Sequence, residues 1–149
     1  MWSQRNFVSY ALQRRSTLEA LRRPSRTLTP SDACDADPML IRAAHHHGQA
    51  VDEACPICER PLSARHQPGT GRLVRLNYVF GEQLGQYSGR IRSTPELEEM
   101  AHEYGEFKVV VVEVCVECGW NHMVESWTLG DGVKRRPPRR QPTVEDIYG

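Results

Sequence analysis

Two pairs of cysteines constrain the fold of this chain more than any other feature. The pairs are Cys55-Pro56-Ile57-Cys58 and Cys115-Val116-Glu117-Cys118, and Gly119 follows the second directly. Two intervening residues let both sulfurs of one turn reach a single ion at about 2.3 Å, and two such turns make a tetrahedral cage for Zn²⁺. The sequence therefore predicts one structural zinc ion held by Cys55, Cys58, Cys115 and Cys118.

Other chemistries for the same four sulfurs can be weighed from their context. Iron in a rubredoxin-like electron carrier has the same geometry and stays open as an alternative. A dithiol oxidoreductase is disfavoured, because neither pair precedes a helical pattern. A zinc deaminase would need an H-x-E and a P-C-x-x-C motif, which the chain lacks. Catalytic zinc needs an open coordination position and four cysteines leave none, so we expect no enzymatic activity.

Hydrophobic periodicity predicts an α+β fold, in which two N-terminal helices pack on a three-stranded antiparallel zinc ribbon. An apolar stripe predicts the first helix over residues 4–22. The second helix is expected to begin after Asp37 as N-cap, with Pro38 at its first position, and to end at Gly48. The predicted strands cover residues 72–80, 107–114 and 120–129, and a short helix over 96–104 is inserted between the first two.

The length of 149 residues suits one domain with extensions. We expect residues 1–48 to form a helical segment packed on the ribbon, and residues 49–132 to form the ribbon domain. Residues 133–149, rich in proline and arginine, are expected to form a flexible basic tail. The gap between Cys58 and Cys115 is wider than in a compact ribbon, which loop-closure entropy permits because its cost grows slowly with length.

Charge is unevenly distributed along a chain whose formal net charge is zero. Residues 1–28 hold six arginines and one glutamate, a net charge of +5. Residues 29–133 hold eight basic and sixteen acidic groups, net −8, and residues 134–149 hold five basic and two acidic groups, net +3. Basic ends on an acidic middle favour either arms that contact phosphate or an acidic surface, or charged ends that only keep the protein soluble. The residues predicted to make these contacts are Lys134, Arg135, Arg136, Arg139 and Arg140 in the tail, and Arg14, Arg15, Arg22 and Arg23 near the N-terminus.

The remaining cysteine and the histidine run carry weaker signals. Cys34 lies among carboxylates in Asp32-Ala33-Cys34-Asp35, which disfavours a thiolate, and is interpreted as a small packing side chain. His45, His46 and His47 point about 100° apart on a helix, so they cannot all face one ion.

These features favour an accessory protein of the transcription or translation machinery, which binds nucleic acid, RNA polymerase or the ribosome. The alternative is an adaptor with only protein partners, and a redox carrier is the third hypothesis. We expect neither a membrane nor a small-molecule substrate as partner. With no apolar run longer than Val109–Val112 and no lipidation motif, we expect the cytoplasm, where thiols stay reduced.

Several segments together resemble an actinobacterial family of small zinc-ribbon-like proteins, classed as a domain of unknown function. They are Tyr10-Ala11-Leu12-Gln13-Arg14-Arg15, Cys34-Asp35-Ala36-Asp37-Pro38, Leu40-Ile41-Arg42-Ala43-Ala44, Cys55-Pro56-Ile57-Cys58, Tyr78-Val79-Phe80-Gly81, Val112-Glu113-Val114-Cys115 and Cys118-Gly119-Trp120-Asn121-His122. The resemblance covers roughly residues 4–130 and leaves out the basic tail. It implies a single-domain cytosolic protein in which both N-terminal helices belong to one unit with the ribbon, and it carries no assigned activity.

Overall fold

The computed structural model describes residues 4–22, 33–58 and 72–133, and these form an α+β fold around one antiparallel sheet. In chain order the elements are β1 (Arg5–Ser9), α1 (Ala11–Arg22), α2 (Pro38–His47), β2 (Gln49–Ala54), β3 (Arg72–Phe80), a kinked 3₁₀ segment (Glu82–Tyr87), α3 (Thr94–Glu103), β4 (Phe107–Cys115) and β5 (Asn121–Leu129). The predicted α+β class is confirmed. Among these residues, no helix has the length and apolar character needed to span a bilayer.

The sheet has five strands in the order β1-β5-β4-β3-β2, and all neighbours are antiparallel. Its centre is the regular pairing of β3 with β4, from Leu73 opposite Cys115 to Phe80 opposite Lys108. The three predicted strands are therefore confirmed to within a residue at each end. The prediction of a three-stranded sheet was wrong, because β1 and β2 add one strand to each side.

Both additional strands lie in segments that were predicted otherwise. The predicted helix over 4–22 was wrong at its start, since residues 5–9 pair with the outer edge of β5 and the helix begins only at Ala11. Residues 49–54, where the sequence predicted no strand, pair with β3. In both cases hydrogen bonding to an open strand edge overrides weak local propensity.

Alternate side chains of each strand point to opposite sides of the sheet, and on both sides apolar side chains pack against helices. On one side, called the α3 face, Phe107, Val109 and Val111 of β4 pack with Leu97 of α3 and Leu84 of the 3₁₀ segment. On the other, called the α2 face, Leu76 and Val114 pack with Ala44 of α2. The α3 face carries the largest cluster of buried apolar residues among those described.

A β-bulge halfway along β5 shifts which of its side chains point to each face of the sheet. Val111 pairs with Glu125 but Val112 pairs with Met123, so Val124 is an extra residue on β5. In a regular strand, residues an odd number of positions apart point to opposite faces. Because of the extra residue, Trp127 and His122 instead lie on the same face, the α3 face.

Local signals account for the helix boundaries. The Asp37 carboxylate accepts a hydrogen bond from the Met39 N–H at 2.6 Å, with Pro38 in the first turn, as predicted for α2. The α2 helix ends at Gly48, also as predicted. The predicted third helix, over 96–104, begins two residues earlier and ends one earlier than expected, with Ser93 as its N-cap.

Candidate metal centre

The four predicted cysteine ligands converge at one end of the sheet. Cys55 and Cys58 form a turn after β2, while Cys115 ends β4 and begins the turn that leads to β5. The four sulfurs all lie within 4.8 Å of one another. The shortest cross-turn separations are 3.6 Å between Cys55 and Cys118 and 3.5 Å between Cys58 and Cys115. The pairing of β3 with β4 therefore brings together two turns that are far apart in sequence.

Backbone N–H groups surround the sulfurs in both turns. The Trp120 N–H donates to the Cys118 sulfur at 3.4 Å. Nearby backbone N–H groups of Cys58 and Ile57 favour the thiolate form of Cys55, and that of Cys118 favours the thiolate form of Cys115. Such donors offset the negative charge that four thiolates would concentrate around one divalent ion.

Gly119 permits the second turn. Its φ is +88°, in the region that favours glycine, and the turn closes with a hydrogen bond from its N–H to the Cys115 carbonyl at 2.9 Å. A Cβ here would lie 3.0 Å from the Cys34 carbonyl oxygen, so the glycine also lets the segment before α2 approach closely.

The cluster is buried and is packed by elements from the whole chain. Cys55, Cys58 and Cys115 have no exposed surface, and Cys118 is partly exposed. Leu21 of α1 and Trp120 belong to the same buried cluster as these cysteines. The centre therefore connects α1 to the end of the sheet.

The geometry suits a tetrahedral metal ion. Ligands at about 2.3 Å from zinc in a tetrahedron lie about 3.8 Å from each other. The cross-turn separations of 3.6 and 3.5 Å are close to this value without any rearrangement of the backbone. All four donors are sulfur, which suits zinc or iron and disfavours calcium or magnesium.

Proton affinities differ among the thiols of the cluster. Burial raises the pKa of Cys58 to about 12, and its hydrogen bond with Cys115 adds to the rise. Hydrogen bonds with Cys118 and Cys55 hold the pKa of Cys115 far below its usual value. A metal ion binding all four thiolates would displace the remaining protons, so its affinity falls at low pH.

Cys34 lies beside the cluster, which its sequence context did not indicate. Its side chain packs against the buried cysteines, and the neighbouring Cys118 thiol lowers its pKa. The flanking residues hold it there, since the Ala36 N–H donates to the Gly119 carbonyl at 3.0 Å and Asn121 donates to Asp35 at 3.0 Å. The interpretation of Cys34 as a packing residue missed this contact, because it depends on residues about 85 positions away.

The predicted partner-binding arginines have different surroundings. Arg14 forms a bidentate ion pair with the buried carboxylate of Glu113, so its guanidinium is directed into the fold. Arg15 and Arg22 are exposed on α1. Arg23 and the five tail cations, Lys134, Arg135, Arg136, Arg139 and Arg140, lie outside the described residues. His45, His46 and His47 are exposed in the last turn of α2, away from the four-cysteine cluster.

Comparison with known proteins places the chain in a family. Residues 1–143 match the model described as "Family of unknown function (DUF5318)". The chain belongs to this family. It is similar to Uncharacterized protein Mb0050 of Mycobacterium bovis and to Uncharacterized protein Rv0049 of Mycobacterium tuberculosis, each 42% identical over 132 residues. The match covers 89% of this chain and 88% of each relative.

The expected membership of an actinobacterial family of unknown function is therefore confirmed. The family description contains no reference to zinc, so the metal inference depends on the cysteine geometry. No solved structure matches the chain.

Proposed function

We propose that this protein is a zinc-stabilised binding protein of the transcription or translation machinery, and that it contacts nucleic acid there. The observation that carries the proposal is the packing of α1 on the four-cysteine cluster through Leu21. The same helix exposes Arg15 and Arg22. The metal would thereby fix the position of cations that can bind phosphate.

Zinc is the ion that we assign to the cluster, held by Cys55, Cys58, Cys115 and Cys118. The reducing cytoplasm that we propose for this protein would keep these thiols available for metal. When bound, the ion would crosslink the two turns and so stabilise the fold. Four protein ligands leave no coordination position for substrate, which favours binding over catalysis.

Phosphate recognition is supported by the chemistry of α1. A surface hollow of about 400 Å³ is lined by Ala11, Arg14, Arg15, Leu18, Glu19 and Arg22. Arginine guanidinium groups bind phosphate oxygens in a bidentate manner. Of the three arginines that line this hollow, Arg15 and Arg22 are exposed. Beyond Val133 the sequence adds five more cations between Lys134 and Arg140.

The test uses the full-length protein, with its metal content measured by mass spectrometry and binding of labelled mixed-sequence RNA measured by fluorescence anisotropy. We expect one zinc per chain, binding at 50 mM salt, and a steep loss of affinity by 200 mM salt as counterion release requires. Replacing Arg15 and Arg22 by glutamine should weaken binding. The same change at Arg42 and Arg72, which are exposed on α2 and β3, is the matched control.

Two cysteine variants test separately whether the four-cysteine cluster binds zinc. Cys58→Ser should lose zinc and yield an unstable, largely insoluble chain, whereas Cys34→Ser should keep one zinc per chain. A red preparation containing iron would support the electron-carrier alternative instead. Absence of RNA binding at any salt, with nuclease-resistant capture of a protein from cells, would support the protein adaptor.

A further inference from the structure

The α2 face of the sheet is covered over only part of its length. Antiparallel pairing divides this face into cross-strand rows of side chains. Two rows near the cysteine end contain Leu76 with Val112 and Val74 with Val114, and these pack against α2. The rows toward the other end extend past α2, and there Phe80 is 42% exposed and Val8 is 44% exposed.

The row at the far end has an unusual composition for an exposed strand surface. It consists of Phe80, Lys108, Thr128 and Arg5, which lie side by side on β3, β4, β5 and β1. The next row begins with Tyr78, whose ring stacks on Phe80 with centroids 6.4 Å apart and planes at 20°. Two parallel aromatic rings thus adjoin two exposed cations, on four strands that span about 14 Å at the usual strand spacing.

A hollow of about 330 Å³ opens beside this row. The residues that line it include Phe80, Lys108, Thr128, Glu82 and Glu106. It therefore combines an aromatic wall, a cation and hydrogen-bond acceptors, which is the combination that a nucleobase with its phosphate can use.

We infer that this open end of the α2 face binds a single-stranded segment of nucleic acid, with a base stacked on Phe80 and phosphates at Lys108 and Arg5. The inference rests on the proposed function for the class of partner, and it assigns a surface separate from α1. Every base has a π-face, so stacking on Phe80 provides affinity for single strands over duplexes.

Two features of the surroundings define the occupant further. The carboxylates of Glu82 and Glu106 accept hydrogen bonds but repel phosphate, so they would meet a base edge carrying an amino group, such as the N4 group of cytosine. The described chain ends at Val133 beside the start of β4, where the Gly132 N–H bonds to the Gly105 carbonyl. Val133, the last described residue, therefore lies at the same end of the sheet as Lys108, and the five cations between Lys134 and Arg140 follow it in sequence.

Matched substitutions test the surface. The probes are fluorescein-labelled twelve-residue oligocytidylate and oligouridylate, single-stranded at neutral pH, with the full-length zinc-loaded protein. Phe80→Leu should weaken oligocytidylate binding by about fivefold or more, as expected for loss of one stacked base. Phe7→Leu is the control, because Phe7 is 53% exposed but stacks on Trp127 on the α3 face. Lys108→Gln should also weaken binding, while Arg72→Gln at the cysteine end of β3 should not.

A footprint gives an independent reading on the unmodified protein. Bound oligocytidylate should protect Lys108 from acetylation, as measured by mass spectrometry of the digested chain. Equal binding of Phe80→Leu and Phe7→Leu, with Lys108 unprotected, would overturn this inference while the proposed function stands. Equal affinity for the two oligonucleotides would contradict the role assigned to the carboxylates and with it the assigned base site. Failure of the wild-type protein to bind either oligonucleotide or mixed-sequence RNA would overturn both proposals.

Discussion

Arg14 and Glu113 show how a residue that was predicted to bind a partner can be needed within the fold. The Glu113 side chain is 4% exposed and its carboxylate is held by two guanidinium nitrogens of Arg14, which is itself 28% exposed. No local pattern indicates this pair, because its members are 99 residues apart. A buried carboxylate without this partner is costly, because its charge is removed from water and left uncompensated.

We therefore predict that Arg14→Ala lowers the free energy of unfolding by about 2–3 kcal/mol, somewhat below the usual cost of breaking a fully buried pair because Arg14 is partly solvated. Urea denaturation of the zinc-loaded protein measures this change. Arg15→Ala, at the neighbouring exposed position, should change stability by less than about 0.5 kcal/mol. Adding Glu113→Leu to an Arg14→Met variant should recover most of the loss. Similar effects of Arg14→Ala and Arg15→Ala would show that the ion pair has no net value.

At the scale of single elements, α3 depends on a reciprocal cap. The Ser93 hydroxyl accepts from the Glu96 N–H at 3.4 Å, and the Glu96 carboxylate accepts from the Ser93 N–H at 2.9 Å. The hydrogen bond from the Ser93 N–H, with smaller contributions from the Ser93 side chain and Arg92, holds the pKa of Glu96 below its usual value. The capped helix supplies Leu97, Met100 and Ala101 to the main core, so the cap supports the largest apolar cluster described.

The pH dependence of this cap has a definite sign. Because the folded-state pKa of Glu96 is depressed, its charge stabilises the fold above the unfolded pKa of about 4.5, and this contribution disappears as the pH falls through the lower folded value. We predict that Ser93→Ala costs about 1 kcal/mol at neutral pH, whereas Ser93→Thr costs much less. The stability difference between wild type and Glu96→Gln should shrink between pH 5 and pH 3. A difference that stays constant over that range would exclude a role for the ionised carboxylate.

The sequence was sufficient to predict α2 and the central strands, but it was not sufficient to predict the two edge strands. The α2 helix was located from Asp37, Pro38 and Gly48, because caps and breakers act within a few residues. The central strands were located because runs such as Val109–Val112 consist of β-branched residues, which are enriched in strands. β1 and β2 were missed because each is short, exposed and defined by pairing with a distant strand. Likewise, the C-x-x-C spacing predicted the four ligands, but nothing near Cys34 indicated its contact with Cys118.

At the scale of the whole molecule, the buried residues divide into separate clusters. One cluster surrounds the cysteines and includes Leu21, Leu73 and Trp120. The largest lies under α3 and contains no cysteine. A metal ion would crosslink only the cluster that contains the cysteines. Its removal should therefore destabilise that end of the sheet more than the part under α3.

Hydrogen exchange with and without a zinc chelator tests this division. We predict that chelation removes amide protection in residues 14–22, 49–58 and 115–121, the part of the chain nearest the cysteines, because the crosslink between the two turns is lost. Protection in residues 97–101, 107–111 and 127–129 should persist, since ten buried residues pack there without help from the metal. Uniform loss across both regions would mean that the two clusters unfold as one unit.

The position of β1 has a consequence for how the protein is made. Its partner is β5, so Arg5 pairs with Thr128, near the opposite end of the described chain. During synthesis the segment with Phe7 and Val8 has no strand to join until more than a hundred further residues have been translated. The second cysteine turn is synthesised only shortly before β5. This polypeptide therefore completes neither its sheet nor its four-cysteine cluster until residues 115–129 have left the ribosome, and until then Phe7 and Val8 need protection from aggregation.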